Sequence, residues 1–99
     1  MQEGARFVVF HKPGPSWAPG VPAFEQAGLQ QHVEHFRRLL EGGKLSMGGP
    51  FIDERSIGMM IADASVAHDE IRRLASEDPA VRSGLLIFEI RPWMPALQS

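Results

Sequence analysis

Histidine is the residue type best suited to carry chemistry in this sequence of 99 residues, which contains four histidines and no cysteine. An imidazole changes charge near neutral pH, so a histidine held beside a carboxylate can accept and release protons during a reaction. The absence of cysteine excludes disulfides, thiolate catalysis and Cys-based zinc sites. The chemistry therefore depends on where the chain places its imidazoles and carboxylates.

His32 is the first candidate, because it lies on the apolar side of a predicted helix. His32 points to the same side as the apolar residues of that helix. These recur at helical spacing and are Leu29, Val33, Phe36, Leu39 and Leu40. An ionisable group that points inward needs a partner or has a function. His32 is therefore either a core histidine bonded to backbone or to a buried carboxylate, or a general acid or base. Asp78 is the candidate carboxylate; alternatively, it is an ordinary turn aspartate before proline.

The other three histidines have weaker patterns. His35 follows His32 at i, i+3, so both rings can reach one side of the helix, although His35 also fits the edge of the apolar stripe. His68 falls on the polar side of a second helix and is expected in solvent, and His11 ends a strand where it can line a cleft. No H-E-x-x-H or carboxylate-rich motif accompanies them, so we predict no metal and no cofactor. A metal-dependent enzyme using His32 and His35 is a further alternative.

The elements that must position these residues follow the order β-α-β-β-α-β. Strands are predicted at residues 6–11, 44–51, 56–62 and 85–91, with a hairpin tip at residues 53–55. The helices are predicted at residues 24–41 and from a cap at Asp63 or Ser65 to just before Pro79. This is the ferredoxin-like α+β order, a four-stranded antiparallel sheet with two helices on one face. Because the two helices run side by side, Asp78 can reach His32.

Two irregular segments are candidates for a ligand site. Residues 12–22 contain four prolines around Trp17, and they form either a rigid surface connection or a lip over a pocket. The Gly-Gly-Pro at residues 48–50 interrupts the second strand, which predicts a bulge or a close backbone approach. No dinucleotide or Walker motif is present, so a phosphate cradle is not expected. The predicted substrate-binding residues are His11, Trp17, His35, Gly49 and Pro50.

The predicted strands are apolar on both faces, but two helices cover only one face of a sheet. Soluble monomers rarely expose such a patch, so we predict a homodimer in which two sheets pack together. The net charge of −2 gives no reason to expect nucleic acid or a membrane as partner. No signal peptide or membrane-spanning segment is seen, and a single soluble, cytoplasmic domain over residues 1–99 is expected.

Several segments have a distinctive order and spacing: FVVFHKPGPSW, QQHVEHFRRLLEGGKLSMGGPF, GMMI and SEDPAVRSGLLIFEIRPW. With them the chain resembles the YCII-related (YciI-like) family of small bacterial proteins, in the dimeric α+β barrel superfamily. The resemblance implies a ferredoxin-like subunit, a homodimer and a His–Asp active site, which here corresponds to His32 and Asp78. A dehydrochlorinase acting on a chlorinated hydroxyquinol is a known activity in that family.

The expected function is acid–base chemistry on a small organic compound, of the lyase, isomerase or dehydrochlorinase type, without a cofactor. The family's known activity implies an aromatic substrate. The alternative is a non-catalytic homodimer that binds a small ligand or has a regulatory role. The chain departs from the shortest family members in the segment around Trp17 and in having His35.

Overall fold

The computed structural model describes residues 4–53 and 58–99. In these residues the regular elements are four strands, three helices and a 3-10 turn, which are β1 (Arg6–Pro13), the 3-10 turn (Ala23–Glu25), α1 (Leu29–Glu41), β2 (Leu45–Pro50), β3 (Gly58–Ala62), α2 (His68–Ser76), α3 (Pro79–Arg82) and β4 (Leu86–Trp93). The strands form one antiparallel sheet in the order β2-β3-β1-β4. The ferredoxin-like α+β prediction is confirmed. No helix in the part of the chain described is long and apolar enough to cross a membrane.

The core lies between the sheet and the helices. Phe7 and Val9 on β1 share one buried cluster with Phe36 of α1 and Ile71 of α2. Burying a side chain such as Ile71 fully contributes roughly 1.5–3 kcal/mol to folding. Successive residues of a strand point to opposite faces, so Val8 lies on the face of the sheet away from the helices. The strand β1 is therefore apolar on both faces, and the helices of the chain cover one of them.

Helix α1 begins at Leu29 rather than at the predicted Phe24. Gly28 precedes the helix with a φ of 96°, a left-handed conformation that glycine adopts without a steric penalty and that cannot continue a helix. The residues before it form the 3-10 turn instead. The end of α1 at Glu41 is as predicted.

The start of α2 also differs from the prediction. Its N-cap is Ala67, and neither Asp63 nor Ser65 caps the helix. The Asp63 carboxylate instead accepts hydrogen bonds from the backbone N–H and the hydroxyl of Ser65. Local side-chain bonding of this kind stabilises a turn, and here the turn precedes the helix by several residues.

The segment after α2 contains a helix that the sequence analysis lacks. As predicted, α2 ends before Pro79, at Ser76. Pro79 then begins the short helix α3, and Asp78 is its N-cap. An aspartate at the N-cap followed by proline at the first helical position is a favourable helix start, because proline has no N–H to leave unpaired.

The predicted interruption of the second strand is wrong. Gly48 and Gly49 stay paired with β3, and the register shift lies earlier, between Leu45 and Met47. The glycine at 48 has a steric reason, since a Cβ there would overlap the sulfur of Met60. A close approach therefore exists at residue 48, but it is to the side chain of Met60 within the ladder.

The first and last strands of the chain, β1 and β4, are longer than predicted. β1 and β4 pair continuously from Arg6 with Trp93 to Pro13 with Leu86. Pro92 is tolerated within β4 because this strand lies at an edge of the sheet, where a missing N–H breaks no ladder. Residues 54–57, which include most of the predicted hairpin tip and the start of the return strand, lie outside the described residues.

Candidate functional site

His32 and Asp78 form a buried pair. The Nδ1–H of His32 on α1 donates to Oδ2 of Asp78 at 2.6 Å, and the other carboxylate oxygen accepts the backbone N–H of Ala80 at 2.9 Å. His32 is 7% exposed and Asp78 is fully buried. The N-cap position of Asp78 explains its orientation, since the bond to Ala80 holds the carboxylate in the turn before α3. The predicted proximity of the two residues is confirmed.

The electrostatics of the pair favour an ionised carboxylate. Burial by itself raises the pKa of Asp78, but the hydrogen bond and charge of His32, together with the N–H of Ala80, bring the pKa below its ordinary value. Asp78 is therefore an anion at neutral pH. An anionic acceptor at Nδ1 fixes the tautomer of a neutral His32 with its proton on Nδ1, which leaves Nε2 to take up a proton from a bound molecule.

His11 lies directly beside this pair. Its ring centroid is 4.7 Å from that of His32, with the ring planes at 75°, and 5.1 Å from that of Phe36. The residue is 1% exposed, and within the described ranges neither of its ring nitrogens has a hydrogen-bond partner. Burial, followed by the charge of His32, lowers the pKa of His11 to about 3, so the ring is neutral at neutral pH.

A cavity of about 650 Å³ is lined by both of these histidines. Such a volume suits a small organic molecule. The floor of the cavity consists of His11 and His32, and Asp78 lies behind His32. Glycines 48, 49 and 58 line the cavity where side chains would otherwise fill space. Most of the remaining wall is apolar and consists of Trp17, Leu29, Val33, Phe36, Leu40, Leu45, Met60 and Leu86.

The opening of the cavity is also apolar. Its mouth consists of Phe24, Phe51 and Ile52, which are 76%, 44% and 102% exposed. Arg37 and Asp53 are the ionisable lining residues outside the floor in the part of the chain that the structure describes. The site therefore combines an acid–base pair at the bottom with an apolar entrance, a combination that suits a weakly polar ligand.

Four of the five predicted binding residues line this cavity: His11, Trp17, Gly49 and Pro50. His35 does not, because its Nε2–H donates to the backbone carbonyl of Leu74 at 2.7 Å and turns the ring toward α2. The structure therefore does not bring His35 together with His32 at one site. His68 has an exposed ring, as the sequence predicts.

The segment around Trp17 is both anchored and part of the site. Trp17 packs against the cluster of Ala80, Leu85 and Leu86, and it also lines the cavity. The buried side chain of Gln26 holds the following loop: it accepts the N–H of Ala18 and donates to the carbonyls of Ala18 and Val21. Sequence reasoning missed Gln26, since it placed this residue in the first turns of the helix predicted at residues 24–41.

The chain matches a known protein family over most of its length. The family model of the YCII-related domain matches residues 5–94, which include every strand and helix described above. The chain belongs to the YCII-related family. The resemblance seen in the sequence is thus confirmed. No curated protein matches the chain.

The YCII-related chain thus has the parts needed for proton transfer. His32 holds its Nδ1 proton toward an anion, and that anion stabilises the imidazolium once a proton arrives at Nε2. The apolar wall strengthens this electrostatic interaction by excluding water. Besides this pair, the floor contains His11, whose nitrogens the acid–base arrangement does not use.

Proposed function

We propose that this YCII-related protein is a small-molecule enzyme in which His32 acts as general base and then as general acid. One observation carries the proposal: a 2.6 Å hydrogen bond joins His32 to the buried carboxylate of Asp78 beneath an apolar cavity. A purely structural histidine has no need of a cavity beside it. A lyase, isomerase or dehydrochlorinase reaction on a small organic compound fits these parts best.

The proposed reaction begins when Nε2 of His32 removes a proton from a carbon of the substrate. The electron pair left behind either forms a double bond as a leaving group departs from the neighbouring carbon, or returns to accept the proton at another carbon. In the first case His32 passes its proton to water, and in the second it returns the proton to the substrate. Asp78 stabilises the imidazolium at each stage. None of these steps requires a cofactor.

The test is proton transfer itself. The full chain in EDTA is incubated in D₂O with a panel of small enolisable ketones and chlorinated hydroquinones, and deuterium incorporation and chloride release are measured. We expect turnover of at least one compound, reduced ~10²–10⁴-fold by His32→Gln. Asp78→Asn should reduce the rate as well, because the amide is not an anion. His68→Gln, which changes an exposed histidine, is the control.

Full activity of His32→Gln would remove this role from the residue. Binding of panel members, seen by saturation-transfer NMR, without any turnover would instead favour the second reading, a non-catalytic ligand-binding module. The large apolar cavity is compatible with that reading, whereas the buried His–Asp pair is what favours an enzyme.

We further propose a homodimer formed through the face of the sheet that the helices leave uncovered. Two observations support it: Met47 and Trp93 are 63% and 45% exposed, and a depression of about 370 Å³ on this face is lined by Val8, Phe10, Met59 and Ile61, among others. A second copy would bury this apolar surface. The cytoplasmic location expected from the sequence stays a prediction.

Light scattering tests the dimer directly. The wild type should show twice the mass of the subunit, and Phe10→Glu should shift the mass toward that of one subunit. Arg37→Glu, a charge change on the helix side, should leave the dimer intact. A wild type that is monomeric at high micromolar concentration would contradict the proposal.

A further inference from the structure

Three ligand-type side chains converge at the floor of the cavity. His11, His32 and Asp78 each contribute one potential ligand atom, and these atoms all lie within 4.8 Å of one another. The residues come from β1, α1 and the turn before α3, so the fold assembles the cluster from distant parts of the chain. Imidazole nitrogens and a carboxylate oxygen are ligands that Zn²⁺ and similar divalent transition metals accept.

An independent observation concerns His11. Both of its ring nitrogens are buried, and neither has a hydrogen-bond partner in residues 4–53 and 58–99. A buried polar group without a hydrogen-bond partner is unfavourable, so a species that binds the ring is favoured at this position. His32 and Asp78 need no such species, because each already has a partner. His11 is therefore the member of the cluster with unpaired nitrogens, and it is not part of the acid–base pair.

We propose that His11, His32 and Asp78 together bind one divalent transition-metal ion, of which Zn²⁺ is the best representative. The ion takes one nitrogen from each ring and one carboxylate oxygen, and it replaces the proton that His32 and Asp78 share. Ligand atoms around a tetrahedral Zn²⁺ lie roughly 3.3 Å apart. The 2.6 Å pair must therefore open slightly, and ligand atoms that lie up to 4.8 Å apart must approach each other by about 1.5 Å.

Three protein ligands leave a tetrahedral ion one further coordination position. His11 and His32 both line the cavity, whereas Asp78 is fully buried behind them. Three protein ligands with one open position are the arrangement of catalytic rather than structural zinc sites. The open position would take a water molecule or an oxygen of a ligand in the cavity. While the ion is bound, His32 is a ligand and not a base, so the inference goes beyond the proposed function.

Zinc binding tests the proposal without any substrate. The full chain, without a His-tag and stripped with EDTA, is titrated with ZnCl₂ by calorimetry at pH 7.5. We expect about one ion per chain. His11→Phe, which keeps an aromatic ring of similar size against Phe36 and His32, and Asp78→Asn should each weaken binding by about tenfold or more. His68→Gln, which removes an exposed histidine beside Asp69, should bind like the wild type.

A second measurement does not depend on any variant being folded. In the wild type, ¹⁵N NMR of the imidazoles should show the ring nitrogens of His11 and His32 shifting together on addition of ZnCl₂. Three results would overturn the proposal: no binding, binding that His11→Phe leaves unchanged, or shifts confined to His35 and His68. In each case a buried water remains as the species paired with His11, since a water needs only two to four polar neighbours. The proton-transfer assay is run in EDTA, so its interpretation does not depend on any of these results.

Discussion

The floor and the mouth of the cavity differ in burial, in polarity and in how the chain holds them. The floor residues His11, His32 and Asp78 are at most 7% exposed and come from three elements joined by the core. The mouth residues Phe24 and Ile52 are 76% and 102% exposed and lie outside the core. The floor can therefore hold reacting groups at fixed distances, whereas the mouth offers apolar contact that can change without affecting the fold.

The largest expected effect is at the floor. Asp78→Ala should lower the free energy of unfolding by about 3–5 kcal/mol, because it leaves the His32 ring and the N–H of Ala80 unpaired in the interior. Urea denaturation followed by circular dichroism at pH 7 measures the loss. The control is Asp69→Ala on α2, which alters a fully exposed side chain and should change stability by less than about 0.5 kcal/mol. Equal stability of the two variants would show that the floor is no more constrained than the surface.

A smaller loss of stability at the floor depends on pH. His11 has a pKa of about 3 in the folded protein against 6.5 ordinarily, so the unfolded chain binds more protons and stability falls as the pH falls through this window. Between pH 7 and pH 5 the loss from this group is about 2 kcal/mol. The lowered pKa of Asp78 acts only at more acidic pH, because its ordinary value is 3.8.

The measurement compares urea denaturation at pH 7 and pH 5, in EDTA, for the wild type and His11→Phe. The variant should lack this part of the pH dependence, while His68→Gln should keep it. An unchanged pH dependence in His11→Phe would mean that the ring is accessible to protons in the folded state.

The loop that Gln26 anchors, between the floor and the mouth, should show a smaller loss of stability than the floor. Gln26→Ala removes three hydrogen bonds to the backbone of Ala18 and Val21, and we expect a loss of about 1–2 kcal/mol. The loop should also be cut faster by chymotrypsin after Trp17 or Phe24. Gln31→Ala, an exposed glutamine on α1, is the matched control. Wild-type resistance to chymotrypsin in Gln26→Ala would mean that the packing of Trp17 alone holds the loop.

The smallest effect on stability is expected at the mouth. Phe24→Ser should change the free energy of unfolding by less than about 0.5 kcal/mol, because the ring is mostly exposed. It should nevertheless weaken binding of the apolar dye 1-anilinonaphthalene-8-sulfonate by roughly twofold or more. Leu97→Ser changes a side chain that is more exposed than Phe24 and does not line the cavity, so it should change neither quantity. A large loss of stability in Phe24→Ser would erase the distinction between floor and mouth.

The predictions that succeeded rest on local repeats. The spacing of apolar residues in α1 placed His32 inward, and the unbroken apolar run in β1 predicted apolar side chains on both faces. Boundaries failed where one residue's backbone or side chain decided the outcome, as at Gly28 and Asp63. The helix start at Asp78 and Pro79 has a readable signal, an N-cap residue followed by proline, which the sequence analysis did not use.

The contacts of His35 show that helical spacing alone does not determine which group a side chain meets. Residues three apart on a helix are separated by about 60° around its axis, enough for one ring to reach a cavity and the other to reach a neighbouring helix. His32 meets the carboxylate of Asp78, whereas His35 meets the carbonyl of Leu74. Which of the two is available for chemistry depends on what lies opposite, and the helix alone does not contain that information.

The sequence by itself determined the order of the elements, the inward direction of His32 and the choice of Asp78 as its partner, because periodicity, proline chemistry and family resemblance are all properties of the chain read locally. Only the tertiary structure decided that His11 is buried without a hydrogen-bond partner among the described residues, that His35 turns away and that Gln26 holds the loop. These outcomes depend on contacts between segments far apart in the chain, and each contact exists only once the sheet and helices have packed.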